Sequence, residues 1–243
     1  MAQTRLELKL DSYREEVPNV RRFVFSRADG EALPFVPGQF LMFHYDDDDG
    51  EFQRSYSLSS VAEHGEGIEV VISFVPGGRG CAALWKLEPG DSLAATGPYG
   101  RFTLRDEFPP RYIFVGTGTG IAPYRTMLPI LEERMAEHGM TVDVLLGVRR
   151  PAELLFGADF RAFAERVDGA RFRACYSREA SLPNETDAET GYVTEALKAW
   201  EPDPGGDIVY LCGNPQMVDD AVAHLKELGF SPRNIRREKY ISS

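Results

Sequence analysis

The sequence predicts two domains of different class: an N-terminal antiparallel β-barrel over residues 1–108 and a C-terminal parallel α/β sheet over residues 109–243. Three observations carry this. The chain has 243 residues, long for one compact domain and ample for two of ordinary size. Its first part is a succession of short β-rich runs broken by Gly, Pro and Asp. Beyond Pro109-Pro110 the pattern changes, and apolar strands alternate with helical segments, as parallel βαβ units require.

In the first domain the β-rich runs are 6–10, 20–26, 39–45, 55–59 and 68–75, short and closely spaced as in a small antiparallel barrel. The acidic run Asp46-Asp47-Asp48-Asp49, followed by Gly50, lies between two of them and reads as a solvated hairpin loop. In the second domain, strand 112–115 is followed by a Gly/Thr turn and helix 123–138. Strand 142–147 with helix 158–166 comes next, then strand 172–176 with helix 194–200, then strand 208–212 with helix 215–228. The polar stretch 181–190, with Pro183 and Asn184, reads as a surface loop.

Composition narrows the function. With 43% hydrophobic and 27% charged residues the chain has the make-up of a folded, water-soluble protein. No apolar run reaches a membrane-spanning length. Residues 1–11 carry Arg5, Glu7 and Lys9 and lack the apolar core of a secretory signal, so a cytoplasmic location is expected. Cys81, Cys175 and Cys212 form no C-x2-C pair, and His44, His64, His138 and His224 show no metal-binding spacing, so no metal is expected. The net charge of −11 argues against nucleic acid as a partner, while leaving room for a protein partner.

The most informative run is Gly116-Thr117-Gly118-Thr119-Gly120-Ile121-Ala122-Pro123, which follows an apolar strand and opens a helix. Its glycines allow a tight turn and let a pyrophosphate approach the main chain, and the helix start presents free N–H groups to the anion. Pro123 suits a first helical turn, where no donor is missed. A second strand-to-helix turn, Tyr210-Leu211-Cys212-Gly213-Asn214-Pro215, is expected to line the same crevice, since ligands gather at the carboxyl ends of parallel strands. Cys212 also reads as a buried small hydrophobe. In the first domain, alternation puts Arg54 and Tyr56 on one face of a strand, with Ser55 and Ser57 on the other. A guanidinium grips a pyrophosphate bidentately and a tyrosine ring stacks on a flat heterocycle, so the run reads as a flavin site or, equally, as a polar edge strand. Downstream, Gly77-Gly78-Arg79-Gly80-Cys81-Ala82 is another Gly-rich turn into a short helix, a second anion cradle.

With these motifs together, the chain resembles the ferredoxin–NADP(H) reductase superfamily over nearly its whole length. Pro37-Gly38-Gln39-Phe40, Arg54-Ser55-Tyr56-Ser57, Gly77-Gly78-Arg79-Gly80, Gly97-Pro98-Tyr99-Gly100, the Gly116 turn, Cys212-Gly213-Asn214-Pro215-Gln216-Met217 and Glu238-Lys239-Tyr240 stand in family order. The resemblance implies an FAD-binding barrel, an NAD(P)-binding sheet and catalysis at their junction. It implies that Arg54 holds the FAD pyrophosphate, Tyr56 packs on the flavin and Ser57 sits near its reactive nitrogen. Val71, Ile72 and Ser73 would run along the cofactor, with Gly80, Cys81 and Ala82 offering N–H groups to its phosphates. Thr119 and Cys212 would lie near the nicotinamide, Glu238 beside the flavin, and Tyr240 over the isoalloxazine. Ser57, Cys212, Glu238 and Tyr240 are therefore the catalytic candidates. The other cofactor candidates are Ser55, Gly78, Arg79, Gly118, Gly120, Gly147, Val148, Arg149, Gly213 and Met217. Three departures stand out: Cys81 where many relatives carry Ser or Thr, Ser73 where some carry Arg or Lys, and Ile241-Ser242-Ser243 after Tyr240.

The activity the resemblance implies is hydride exchange between a nicotinamide dinucleotide and FAD, coupled to single-electron exchange with a ferredoxin or flavodoxin. Ser177 and Arg178, just after a strand, suit a 2′-phosphate, with Arg149 and Arg150 adding charge, so NADP is favoured over NAD. Against this, Tyr192 stands where many NADP-specific relatives have arginine, and Arg178 also reads as a surface charge paired with Glu179 or another acid. Alternative readings are an NADH-dependent reductase component of an oxygenase, a free-flavin reductase, and a non-enzymatic FAD-binding electron-transfer or regulatory subunit.

Overall fold

The computed structural model describes residues 5–61, 67–182 and 186–240, which form two units. One comprises the described residues up to Leu104 together with Ala122–Thr126, and the other comprises Arg105–Ile121 and the described residues from Met127 onward.

The first unit is a six-stranded antiparallel sheet in the order β4-β3-β6-β1-β2-β5. Its strands are β1 (Arg5–Val17), β2 (Val20–Arg27), β3 (Phe40–Asp47), β4 (Gly50–Ser57), β5 (Ile68–Ser73) and β6 (Ser92–Tyr99). Strict alternation makes β1 a strand: Leu6, Leu8 and Leu10 are buried while Arg5, Glu7 and Lys9 face water. The sheet curls until its ends meet, where Leu58 bridges Val70 and closes the barrel. Phe23, Phe25, Phe43, Leu41 and Leu84 fill the interior, with Phe25 and Phe43 edge to face at 5.5 Å. The acidic run is the tip of the β3–β4 hairpin, with Asp47 paired to Gly50. Between β5 and β6 runs the short helix α1 (Arg79–Leu84). Strand β6 is absent from the sequence expectation. Its Ala94-Ala95-Thr96-Gly97 stretch lacks the bulky apolar residues that mark a strand, and it is held by pairing to β1 and β3 on either side.

The second unit is a six-stranded, wholly parallel sheet, β10-β9-β8-β7-β11-β12. In chain order it runs β7 (Arg111–Thr117), α2 (Ala122–His138), β8 (Thr141–Val148), α3 (Gly157–Arg166), β9 (Ala170–Tyr176), β10 (Ala188–Thr190), α4 (Val193–Ala199), β11 (Ile208–Gly213), α5 (Pro215–Glu227) and β12 (Ile235–Lys239). Apart from the ion-paired Asp143 of β8, the central strands are largely apolar because helices cover both faces. On one face Val115, Leu145 and Leu211 pack on α4 and α5 through Val193, Leu197, Val218 and Leu225. On the other, Phe172 stacks on Phe160 of α3 at 5.8 Å.

The expected surface loop 181–190 is corrected at its end, since Ala188–Thr190 is the edge strand β10, parallel to β9. An edge strand pairs on one side only, so a short polar run suffices. Pro183 and Asn184 lie outside the described residues. Strand β12 is another unexpected edge, with Arg236, Arg237 and Lys239 masking its apolar signal. Among the described residues no helix is long and apolar enough to cross a membrane.

The order of the parallel strands sets the site. The chain builds outward from β7 through β8 and β9 to β10, then returns to the other side of β7 for β11 and β12. The direction reverses between β7 and β11, and ligands of open parallel sheets bind beyond the carboxyl ends of strands at such a point. Those ends are Gly116-Thr117 and Cys212-Gly213.

Candidate functional site

In the first unit, β4 places Phe52, Arg54 and Tyr56 on its half-buried face and leaves Ser55 exposed, as alternation requires. The Tyr56 ring packs against Phe43 at 5.1 Å, and its hydroxyl lies 3.3 Å from that of Tyr45. Burial pushes the Tyr56 hydroxyl up to about 12 and the Tyr45 hydroxyl further still. Both rings therefore stay neutral donors. Helix α1 starts against this face. A Cβ added to Gly80 would stand 2.6 Å from the Tyr56 hydroxyl and 3.0 Å from Arg54 Cγ, so the glycine admits the close approach of strand and helix.

Inside the turn, Gly78 donates to the Val75 carbonyl and Ala82 to the Gly78 carbonyl. The amide of Ala82 is thus engaged within the turn. Gly78 provides no side-chain cap, and the buried amides of Gly80 and Cys81 have no partner among the described residues. The Cys81 thiol donates to the Ser73 carbonyl at 3.2 Å, fastening α1 to β5, where Val71 and Ile72 are buried. Arg79 turns outward. Its guanidinium bonds Asp47 of the hairpin with Nε at 3.0 Å, bonds the Gly50 carbonyl at 3.0 Å, and lies 4.1 Å over the Phe52 ring. Hydrogen bonds from Arg79 hold the Asp47 carboxyl below its ordinary range.

In the second unit, β7 ends in Gly116 and Thr117, and a single 3-10 turn, Gly118–Ile121, leads to α2. Gly118 takes φ +53 and is exposed, while Thr119 is half-buried. Gly120 is packed against the end of β11, where a Cβ would lie 2.4 Å from the Cys212 carbonyl oxygen and 2.8 Å from Gly213 Cα. Gly213, at φ +124, would bring its own Cβ 2.6 Å from the Thr117 carbonyl oxygen. Only glycine permits this backbone-to-backbone contact. Thr117 Oγ1 accepts the Asn214 amide at 2.8 Å, and Asn214 Oδ1 caps α5 through the amides of Gln216 and Met217.

The two units have counterparts in known proteins. Residues 7–104 match the oxidoreductase FAD-binding domain family and residues 114–223 the oxidoreductase NAD-binding domain family. The chain is 32% identical over 244 residues to ferredoxin–NADP reductase B of Sorangium cellulosum, covering 96% of this chain and 97% of that one. The chain belongs to the ferredoxin reductase superfamily. It is also 31% identical over 239 residues to the toluate 1,2-dioxygenase electron transfer component of Pseudomonas putida, covering 95% of this chain and 68% of that protein. Other oxygenase reductase components extend further, this chain spanning 55% of one and 70% of another. The crystal structure of a ferredoxin NADP+ reductase from Neisseria gonorrhoeae, with bound FAD and NADP, superposes with TM-score 0.82 at 25% identity, covering 97% of this chain and 98% of that one. This reductase is therefore an FAD- and nicotinamide-binding oxidoreductase.

Its residues fit an FAD phosphate. The N–H groups of the buried residues Gly80 and Cys81, unpartnered among the described residues and with the Arg54 side-chain stem packed against Gly80, are the kind of donor set an anion completes. Cys212 is fully buried, paired across the sheet with Gly116 on one side and Glu238 on the other. Burial and then the Glu238 charge push its thiol well up, so it stays protonated. Burial alone raises the Glu238 carboxyl to about 7, poising it to exchange a proton near neutrality. Tyr240 donates its amide to the Gly213 carbonyl at 2.8 Å, which ties the end of β12 to the glycine turn. The structure thus gathers Thr117, Gly120, Cys212, Gly213, Glu238 and Tyr240 around one strand end. Ile241-Ser242-Ser243 lie outside the described residues.

The remaining candidates occupy the ends of β8 and β9. The Ser177 amide donates to the Val148 carbonyl and the Arg178 amide to that of Arg149, joining the two strand ends. A Cβ on Gly147 would meet Val193 at 3.0 Å. Arg149 pairs with Glu153 at 3.0 Å, while Arg178 is exposed and makes no ion pair among the described residues. Met217 is 8% exposed and packs into the core beneath α5. Ser57 is half-buried opposite Phe40 of β3. Sequence reasoning missed Asp47 and Phe52, which hold Arg79, and Thr117, which holds the second turn. The signal for Thr117 was its place between two glycines; Asp47 looked like any loop acid.

Proposed function

We propose that this reductase passes electrons between NADP(H) and a separate one-electron carrier of the ferredoxin or flavodoxin type. Bound FAD would supply the redox chemistry, exchanging a hydride with nicotinamide and single electrons with the carrier. Arg54 and the amides of Gly80 and Cys81 hold its phosphates, with Tyr56 packing against the ring system. The glycine turn at Gly118 and Gly120 receives the dinucleotide pyrophosphate, and Ser177 with Arg178 receives the 2′-phosphate. Cys212, protonated and buried, gives a small neutral wall beside Thr119. Glu238 keeps or releases a proton at its carboxyl according to pH, Ser57 in the first unit helps place the flavin, and Tyr240 in the second helps place the nicotinamide.

The coenzyme preference is carried by one observation, the exposed Arg178 guanidinium without an ion-pair partner among the described residues, next to Ser177. Its neighbour Arg149 is already engaged by Glu153. The three cysteines of these residues, each buried in a different element, are too few to ligate an iron–sulfur cluster, which supports reading the one-electron carrier as a partner of these two domains. The full-length match to a protein named ferredoxin–NADP reductase supports both assignments.

Anaerobic NADPH should bleach the yellow protein, with kcat/KM for NADPH above that for NADH. Arg178→Ala should lower the NADPH value about tenfold or more, as loss of a charge-assisted contact does, and leave the NADH value within about twofold. Equal values for the two coenzymes in the wild type would defeat the preference. A second reading, an NADH-dependent oxygenase reductase component, is favoured by Tyr192, which is 69% exposed just ahead of α4. Faster bleaching by NADH would select it.

A further inference from the structure

The first turn of α2 follows the dinucleotide turn directly and is anchored with unusual density within the first unit. Tyr124, Arg125 and Thr126 are 1%, 4% and 3% exposed. The Tyr124 ring packs on Phe102 with centroids 6.0 Å apart. Thr126 Oγ1 accepts the Gly38 amide at 3.0 Å and donates to the Pro123 carbonyl at 2.7 Å. Arg125 donates to the Ser59 carbonyl at 2.7 Å and to the Glu69 carboxylate at 2.8 Å. Glu69, itself 1% exposed, takes Arg22 of β2 on its other oxygen at 3.2 Å. Its amide donates to Ser60 Oγ at 2.8 Å, and its carbonyl accepts the Ser59 amide at 2.9 Å.

Stability alone does not account for such a cluster. Taking a carboxylate and two guanidinium groups out of water is costly, and well-packed apolar side chains of similar volume are commonly as stable or more so. What charged hydrogen bonds add is direction. Apolar contacts tolerate sliding, whereas a guanidinium bonded to both a carboxylate and a carbonyl sets the place and rotation of the turn that carries it. The turn joins Ile121 by a peptide bond, and Gly120 immediately before has no slack, being pressed on the Cys212 carbonyl. A displaced Arg125 would therefore pull through Ile121 on this tightly packed Gly120, and so on Gly118 and Thr119 before it, the residues read as the pyrophosphate seat.

We propose that Arg125 and Glu69 are positioning residues for the nicotinamide dinucleotide, with Thr126 as their partner. They hold the start of α2 so that the preceding glycine turn keeps the shape a pyrophosphate requires. Small misplacements of such a seat are costly in binding. The proposal rests on the dinucleotide-binding reading of that turn.

The test uses FAD-loaded protein titrated with NADP+ and with NAD+, followed by steady-state kinetics with the reduced forms. Arg125→Gln should raise the dinucleotide Kd and KM about tenfold or more, with kcat at saturation changed far less. Arg125→Lys should recover part of the loss. Thr126→Val, which removes the acceptor of the Gly38 amide and leaves every charge in place, should shift Kd in the same direction. FAD content should match wild type throughout. If Arg125→Gln fails to fold, Thr126→Val decides. A Kd within twofold of wild type in the folded variants would overturn the proposal, and so would FAD loss in step with the loss of dinucleotide. Wild-type protein that binds neither NADP+ nor NAD+ would instead bring down the underlying reading.

Discussion

The Gly77-Gly78-Arg79-Gly80 turn that opens α1 and the turn Gly118–Ile121 ahead of α2, both proposed as anion seats, are built from different materials. Helix α1 spans Arg79–Leu84, too short to hold itself. Side chains fasten it: Cys81 to the Ser73 carbonyl, Arg79 to Asp47 and the Phe52 ring. Helix α2 runs from Ala122 to His138, and the turn before it is fastened by main chain on main chain, Gly120 against Cys212 and Gly213 against Thr117. A side-chain fastening yields by degrees, since rotamers can shift. A backbone contact has almost no give, so the second cradle is expected to fail abruptly where the first weakens.

The largest effect that would break this contrast is a single methyl group in each turn. In Gly120→Ala the Cβ would sit 2.4 Å from a carbonyl oxygen of a central strand. We expect a loss of about 3 kcal/mol or more, read as a lowered Tm together with lost NADP+ binding. In Gly80→Ala the nearest atoms are the Tyr56 hydroxyl at 2.6 Å and Arg54 Cγ at 3.0 Å, side-chain atoms on a half-buried face where the Gly120 neighbours are main chain. That variant should melt within a few degrees of wild type and bind FAD more weakly. Similar Tm losses in both would refute the difference in construction. Next in size is Arg54→Ala. Losing a charge-assisted contact to a phosphate costs about 1.5–3 kcal/mol, roughly tenfold to a hundredfold in FAD Kd by fluorescence titration. Glycine geometry in the second unit should be untouched, so NADP+ affinity of the FAD-saturated variant should stay near wild type.

The same contrast explains what could be read from the sequence. Backbone-built features leave glycines, and glycines at fixed spacing after an apolar strand are visible in one dimension. The Gly116 turn, the Cys212-Gly213 turn and the βαβ order were all legible for that reason. Side-chain fastenings join residues far apart in sequence. Nothing in the run Asp46 to Asp49 says that Asp47 alone meets Arg79, 32 residues on. Nor does Glu69 announce Arg125, 56 residues away, because the pairing exists only after β5 and the first turn of α2 are in place. Strands β6, β10 and β12 escaped for another reason. They are made by their neighbours' hydrogen-bonding edges, and their own residues, small in one case and polar in the others, lack the apolar alternation that marks a free-standing strand.

A smaller effect concerns Glu238, beside Cys212 on the rigid strand end. Its carboxyl is raised from an ordinary 4.5 to about 7 by burial. Between these values the folded protein holds a proton that the unfolded chain has released. The resulting stabilisation is fully present below about 4.5, declines as pH rises, and is lost once pH passes about 7. Its upper bound is roughly 3 kcal/mol, less after solvent screening at a half-buried site. Denaturant melts at pH 5.5 and 8 should show the wild type losing stability with pH relative to Glu238→Gln, whose side chain stays neutral. Parallel pH profiles for the two proteins would remove Glu238 as the titrating group.

The smallest effect is the sharpest in sign. If Arg79 works as a tether, bound to Asp47 and stacked on Phe52, its role in the first cradle is to hold α1 in place, and Asp47 is part of that hold. If Arg79 instead reaches the FAD phosphate directly, Asp47 competes with the phosphate for the guanidinium. Asp47→Asn separates the two by direction. A tether predicts weaker FAD binding, by a factor of up to about five, the scale of an exposed ion pair. Competition predicts tighter binding, because one negative charge beside the anion is gone. The tether also predicts that Arg79→Gln and the double variant weaken FAD about as much as Asp47→Asn does, since either change cuts the same connection. Tighter FAD binding in Asp47→Asn would assign Arg79 to the cofactor itself. The first cradle would then hold its anion with two guanidinium groups, Arg54 and Arg79, over one phenyl ring.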